Sequence, residues 1–362
     1  MAKHLQNDRV LLFTVVLMVF FGLLMVFSAS AVIAERAHGN SYYFLLRQGG
    51  AAAAGLAGMI WLMGRDYQRF RHPAVAFGLL GIVLVALAAV LLTDRTAHTH
   101  RFFRIGPLSL QPSEFAKPAL VLFLAYFLEA RARSRIEWRT WGPAAAVLLA
   151  LAGLVLAGRD LGTAAVLLVI AAVVLWVAGL PGKYFAVGAL ALVPAAAVAI
   201  LMEPYRWERL MIFLDPWKDP QGKGFQITQS MIALGTGGWS GAGLMGSKQK
   251  LYYLPAPHTD FIYAVIGEEW GLLGATLVVL AFGLILWRGV RASLRSPDCF
   301  GLYLAAGLTA MLVCQAFLNM SVVLDLAPTK GMPLPLVSYG GSALVAAMWS
   351  SGMLLSVSQR SG

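Results

Sequence analysis

Ten apolar windows dominate this chain, near residues 10–30, 44–63, 74–93, 114–128, 143–158, 161–180, 184–202, 261–287, 300–324 and 337–357. A hydrocarbon layer about 30 Å thick takes about 20 apolar helical residues to cross, and a backbone inside it must satisfy its own hydrogen bonds. The windows are continuous runs without the period of two that marks a membrane barrel strand. They predict an all-α, polytopic membrane protein of about ten transmembrane helices. Composition agrees, since only 12% of the 362 residues are charged, against about a quarter in soluble domains.

The windows divide the chain into one integral membrane domain spanning 1–362, broken by a long extracytoplasmic loop at 203–260 between the seventh and eighth helices. An interfacial helix is expected in that loop, within Pro216 to Leu234. Only Gly158, Arg159, Asp160 and Gly162 separate the fifth window from the sixth. Two charges there make a single span costly, so the stretch reads as two helices joined by a tight turn. The start, "MAKHLQNDR" followed by Val10 to Phe27 and "SASA", imitates a secretory signal. Its apolar stretch is longer than the 7 to 15 residues of a signal core, so it reads as a retained first helix.

Orientation follows from Lys and Arg in the short loops. One side holds Lys3, Arg9, Arg65, Arg69, Arg71, Arg131, Arg133, Arg135, Arg139, Lys183, Arg288, Arg291, Arg295 and Arg360. The other holds only Arg36, Arg95, Arg101, Arg104, Arg159 and Lys330. The richer side, with both termini, is the cytoplasmic one. The net charge of +11 is thereby a topological signal, and nucleic acid is not an expected partner. Cys299 and Cys314 support neither a disulfide nor a metal site.

Function must sit in the long loop and at the outer helix ends. Gly241, Gly243 and Gly246 satisfy G-x-G-x-x-G, with Ser247 and Lys248 after them. No strand precedes the match and the Lys and Ser order is reversed, so the glycines read either as sites of close chain approach or as an approach to a lipid phosphate. Glu114 and Lys117, three apart, share a helix face and read as an ion pair, although charge within a span also flags function. Arg159 with Asp160, and Asp325 with Lys330, read as local pairs, and His98 and His100 lack a third metal ligand nearby. Asp260, in "LPAPHTDFIYAVIGEEWG", stands at the threshold of the eighth window. It reads equally as the N-cap of that helix or as a functional carboxylate.

Five blocks, "GPLSLQPSEFAKP", "DLGTA", "FLDPWKDPQGKGFQITQS", "LPAPHTDFIYAVIGEEWG" and "PTKGMPLPLVSYGGS", resemble in sequence and order the SEDS family (shape, elongation, division and sporulation), the group of FtsW, RodA and SpoVE. The likeness runs from the first window to the last. It implies a ten-helix glycosyltransferase of the bacterial cytoplasmic membrane, polymerising lipid II into peptidoglycan on the outer face beside a class B penicillin-binding protein. It maps the family's catalytic aspartate onto Asp260. The reaction it implies is an inverting displacement of diphosphate by a sugar hydroxyl, with a divalent cation such as Mg²⁺ or Mn²⁺ as a candidate aid to the leaving group. Arg101 and Lys117 are then the favoured phosphate-binding cations, with Arg104, Arg206, Arg209, Lys248 and Lys250 as further candidates. Glu114 would hold Lys117, His258 and Thr259 would flank the base, and Ser338 and Tyr339 would line the same cavity.

The chain departs from the family pattern at Phe102, where tryptophan is usual, at Arg159, where proline is usual, and in "LPAPHTDF", which lacks the usual glutamate. The runs "SKQKLYYLP" and "IGEEWG" look closer to the division-type branch than to the elongation-type branch, so divisome proteins are the expected partners ahead of the elongation machinery. Two other functions stay open. A precursor flippase would use Arg47, Glu114 and Lys117 as its path, and a noncatalytic scaffold for the transpeptidase would need Asp260 only as a helix cap.

Overall fold

A computed structural model describes residues 8–94, 100–105, 108–131, 138–201, 204–252 and 254–360. Its helices are α1 (Arg9–His38), α2 (Tyr43–Met63), α3 (Pro73–Thr93), α4 (Pro112–Glu129), α5 (Trp138–Ala157), α6 (Leu161–Val177) and α7 (Gly182–Leu201), followed by α8 (Pro204–Leu214), α9 (Phe225–Gly237), α10 (Gln249–Tyr252), α11 (Ile262–Leu294), α12 (Cys299–Val323) and α13 (Gly341–Ser358). One small antiparallel hairpin, β1 (Phe103–Ile105) with β2 (Leu108–Leu110), precedes α4.

Each apolar window of the sequence contains one long helix. By length and composition α1, α3, α11, α12 and α13 are able to cross a membrane, while Trp141–Ala157 and Leu161–Val177 are shorter apolar helices. Charge explains much of the difference: α4 carries Glu114 and Lys117, and α2 carries Arg47. Phe13, Phe20, Leu46, Leu92, Leu190 and Leu277 stand exposed on the long helices. In water such a surface would drive aggregation, whereas hydrocarbon solvates it. The protein is a multi-pass membrane protein.

The centre of the bundle is α4 and α12. Side chains of α4 are buried on every face from Pro112 to Leu128, apart from the half-buried Phe115 and Tyr126. Helix α12 packs on α4, α6 and α11, while α2 packs most extensively on α13. Small residues set that last contact, because a Cβ at Gly352 would stand 2.6 Å from the Met59 carbonyl oxygen. Helix α1 packs on α2 and α11.

The stretch read as a long loop is largely folded. Helix α9 packs against α11, and the expected interfacial helix is displaced: Pro216–Lys218 forms a 3₁₀ turn and the helix proper is Phe225–Gly237. The glycine-rich segment after α9 inserts into a break in α11, where Gly271 has φ of 64°. The amides of Ala242 and Gly243 donate to the Glu268 and Glu269 carbonyls at 2.9 and 3.0 Å. Gly241, at φ of 78°, lies so close that any Cβ would collide with the Glu269 carbonyl. Of the two readings of the glycine motif, close approach to a helix is the one found.

Candidate active site

The turn before α11 positions Asp260. Thr259 closes it, its amide and its hydroxyl both donating to the Ala256 carbonyl at 3.1 and 3.0 Å. The N-cap of α11 is Phe261, without a side-chain cap bond, so Asp260 does not cap the helix as one reading expected. Its main-chain oxygen accepts from Asn319 Nδ2 at 2.8 Å, and the same nitrogen donates to the Met332 carbonyl at 2.7 Å. Its carboxylate faces Gly331, where an added Cβ would stand 2.9 Å from Oδ2. Helix α12 and the 324–340 segment therefore clamp the turn from two sides.

Burial pushes the Asp260 carboxyl up to about 6, against the downward pull of Arg209 and then Arg101, while Asp160 adds a further upward push. A carboxyl poised there is a fitting general base near neutral pH. Arg209 comes from α8, with Nη1 donating to the Thr329 carbonyl at 2.9 Å. Arg101 comes from the stretch before β1, its amide donating to Asp94 Oδ2 at 2.9 Å and its Nε to the Gly158 carbonyl at 3.2 Å. A further bond runs from its guanidinium to the Arg159 carbonyl. Asp160 caps α6, accepting from the Thr163 amide at 3.0 Å and hydroxyl at 2.9 Å, and from Gln111 Nε2 at 3.3 Å.

Lys330 neighbours this group. Its ammonium is shifted down by burial and partly restored by Asp160. The expected pairing with Asp325 is not found: no ion pair joins them, and the buried Asp325 Oδ1 has no hydrogen-bond partner. Nothing in the sequence distinguished Lys330 from other loop cations.

Two candidate cations lie inside the fold, contrary to a direct phosphate-binding role. Lys117, 1% exposed, donates to Glu114 Oε2 at 2.6 Å and to Gln315 Oε1 at 2.5 Å. Gln315 in turn donates to the Pro333 carbonyl at 3.0 Å, so the pair braces the segment under Asp260 from α4 through α12. Lys250, 4% exposed, pairs with Glu269 at 2.5 Å and donates to Ser28 at 3.0 Å, which staples α10 to α1 and α11. Lys248 is exposed, and its amide donates to Glu268 Oε1 at 2.8 Å.

His258 packs between aromatic rings, tilted on Phe44 with centroids 4.6 Å apart and edge-on to Tyr339 at 5.4 Å. Burial lowers it to about 4, leaving it neutral, and its buried Nδ1 has no partner. Tyr339 takes a hydrogen bond from Arg47, whose guanidinium lies 4.4 Å over the Tyr43 ring. Ser338 is turn structure: its hydroxyl accepts from the Leu334 amide at 2.8 Å and its carbonyl from Gln48 at 3.0 Å. Of the two histidines weighed for metal, His98 lies outside the described residues and His100 contacts the Asp94 carbonyl. A depression of about 390 Å³ lies apart from this cluster, lined by Phe27, Glu35, Arg36, Tyr42 and Met245 among others.

The family profile described as cell cycle protein, that of FtsW, RodA and SpoVE, matches residues 8–362. A protein of Geobacter sp. (strain M18), named probable peptidoglycan glycosyltransferase FtsW, is 40% identical over 355 residues, covering 98% of this chain and 97% of its own. A solved structure described as "Structural coordination of polymerization and crosslinking by a peptidoglycan synthase complex" contains a chain with TM-score 0.80 and 34% identity, covering 98% of both. The crystal structure of the Thermus thermophilus rod shape determining protein RodA gives TM-score 0.71 at 30% identity, covering 97% of this chain and 96% of that one.

Proposed function

This chain belongs to the FtsW, RodA and SpoVE family of cell cycle proteins, and we propose that Asp260 is the general base with which it polymerises a lipid-linked disaccharide. The chain is a peptidoglycan glycosyltransferase. One observation carries the reading of the base: a half-buried carboxyl held up to about 6, outside the first turn of a membrane helix, within the fields of Arg209 and Arg101.

The donor in this reading is lipid II, anchored by its prenyl chain, so its sugar–diphosphate bond lies at the headgroup level where α11 begins. Asp260 takes the proton of the acceptor hydroxyl as that oxygen attacks the anomeric carbon from the face opposite the diphosphate. The C–O bond to diphosphate breaks and the linkage inverts. Inverting hydrolases need a second carboxyl as acid for the leaving oxygen. Diphosphate leaves as a stabilised anion, so cations take that place here.

Arg101 and Arg209 are the cations we assign beside the diphosphate, where the planar guanidinium fork suits paired phosphate oxygens. Lys117 and Glu114 act at one remove by bracing the 324–340 segment. Thr259 shapes the turn, and neutral His258, with Tyr339 and Ser338, forms the adjoining wall. Asp160 and Asp260 are the carboxylates at the site, fewer ligands than a cage of protein side chains gives a divalent ion. A Mg²⁺ or Mn²⁺ ion is therefore proposed to enter on the diphosphate.

Ten spans, cytoplasmic termini and an outward-facing site complete the proposed topology, supported by the distribution of Lys and Arg. A class B penicillin-binding protein is the proposed partner, supported by the likeness to a chain of a peptidoglycan synthase complex. Cell division is the proposed setting, supported by 40% identity to a protein named FtsW against 30% to RodA.

The test is purified protein reconstituted with labelled lipid II and its cognate transpeptidase. Glycan polymer from wild type and none from folded Asp260→Ala or Asp260→Asn is the expected result. Lipid crossing the bilayer without polymer from any variant would instead select a transporter.

A further inference from the structure

Among the cations around Asp260, Lys330 differs in its bonding. Arg101 is committed to the carbonyls of Gly158 and Arg159, Arg209 to that of Thr329, and Lys117 to Glu114 and Gln315. Lys330 has neither a hydrogen bond nor an ion pair from its side chain among the described residues, although it is half-buried. Its ammonium nitrogen is not among the fully enclosed unpartnered polar atoms of the described residues, so it stays open to water and to an incoming anion.

The backbone holds it next to the base. Lys330 precedes Gly331, the residue over which the Asp260 carboxylate lies. The Met332 amide bonds the Lys330 carbonyl at 3.1 Å, and the Met332 carbonyl is held by Asn319, the same side chain that grips the main chain of Asp260. The segment is also fitted against α6, since a Cβ at Gly162 would stand 2.8 Å from the Met332 side chain. Asp160, which caps α6, acts electrostatically on both Lys330 and Asp260. Lys330 is therefore registered to the base through one tight turn, and Asp160 lies near both.

We propose that Lys330 is a diphosphate-binding residue, donating to the leaving group while Asp260 deprotonates the acceptor. This rests on the reading of Asp260 as base. The chemistry asks for such a group: as the C–O bond breaks, its electron pair passes to the diphosphate oxygen, and a donor already placed there stabilises the growing charge without reorganisation. An ammonium with three free N–H donors and no competing internal acceptor suits that place, and the substrate supplies the partner that the free protein lacks. The ligand class is a prenyl-linked diphosphate.

The experiment separates binding from chemistry. In an Asp260→Asn background, affinity for farnesyl diphosphate and farnesyl monophosphate is measured by intrinsic tryptophan fluorescence, with Lys330 retained or changed to Gln, Met or Arg. With Lys330 present, diphosphate should bind at least tenfold more tightly than monophosphate. Lys330→Gln and Lys330→Met should lose that preference, and Lys330→Arg should keep most of it. With Asp260 intact, Lys330→Gln should lower kcat by about 10²-fold, the typical cost of removing one preorganised donor, with Lys330→Arg partly rescued. Unchanged diphosphate preference in folded Lys330→Gln, or a wild-type kcat for it, overturns the proposal. Polymer from Asp260→Asn at the wild-type rate would sink the base assignment instead, and leave the binding comparison to judge Lys330 alone.

Discussion

Gly331 lies against the carboxylate of Asp260 so closely that an added methyl would stand 2.9 Å from Oδ2. Alanine at 331 has to displace the carboxylate or the turn that carries it. A shift of about 1 Å in a reacting group can cost about 10²-fold in rate. Gly331→Ala should therefore lose polymerase activity by one to two orders of magnitude, as about 10- to 10²-fold, while its thermal midpoint stays close to wild type. A variant that melts early, or one that keeps full rate, would show that the contact is not what sets the geometry.

Acid should silence the enzyme through the same group. A carboxyl held up to about 6 is protonated below that pH and accepts no proton from a sugar, so kcat/KM should fall tenfold per pH unit beneath it. Arg209→Gln removes the strongest attraction to the ionised form and should move the acid limb to higher pH. A pH–rate profile flat from 5 to 8 would contradict both statements.

Stability carries the opposite sign. Because the folded-state pKa of Asp260 lies above its usual 3.8, the contribution of this group is fully present below that value and is lost as pH rises through 6. Asp260→Asn should then gain thermal stability over wild type at pH 8 and lose that advantage at pH 4, as read by paired melting curves in detergent.

Lys117 and Glu114 form a pair 1% and 3% exposed. Removing one partner leaves a buried charge unmatched, which costs about 3–5 kcal/mol. Lys117→Met alone should be strongly destabilised, and Lys117→Met with Glu114→Gln should recover most of the loss. Activity should recover less than stability, since Gln315 then loses the ammonium that orients it toward the Pro333 carbonyl.

Lys250 and Lys248 should behave unlike each other. Lys250→Ala strands Glu269 inside the fold and should impair expression and melting, whereas Lys248→Ala, at an exposed side chain, should be close to neutral. A lowered lipid II affinity for folded Lys250→Ala would restore the phosphate-binding role that its burial argues against.

Much of the fold was open to reading because the cost of burying polar groups in hydrocarbon is assessed segment by segment along the chain. Each window from 10–30 to 337–357 therefore became a helix. Asp260 stood out for the same local reason, a carboxylate beside the proline-stiffened entry to an apolar run. The glycines of 241–246 had no such local meaning: their partner is the broken backbone of α11 at Glu268 and Glu269, which no spacing rule reveals.

The amino-acid order alone determined which segments form long apolar helices and which carboxylate guards a helix mouth. Tertiary structure decided which charges that carboxylate feels. Arg101, Asp160 and Arg209 arrive from the stretch before β1, the cap of α6 and helix α8. It also turned Lys117 and Lys250 inward, away from any ligand. Hydropathy acts on neighbours in sequence, whereas a Coulomb field depends on distance in space, and only packing of α4, α6, α8 and α12 sets those distances.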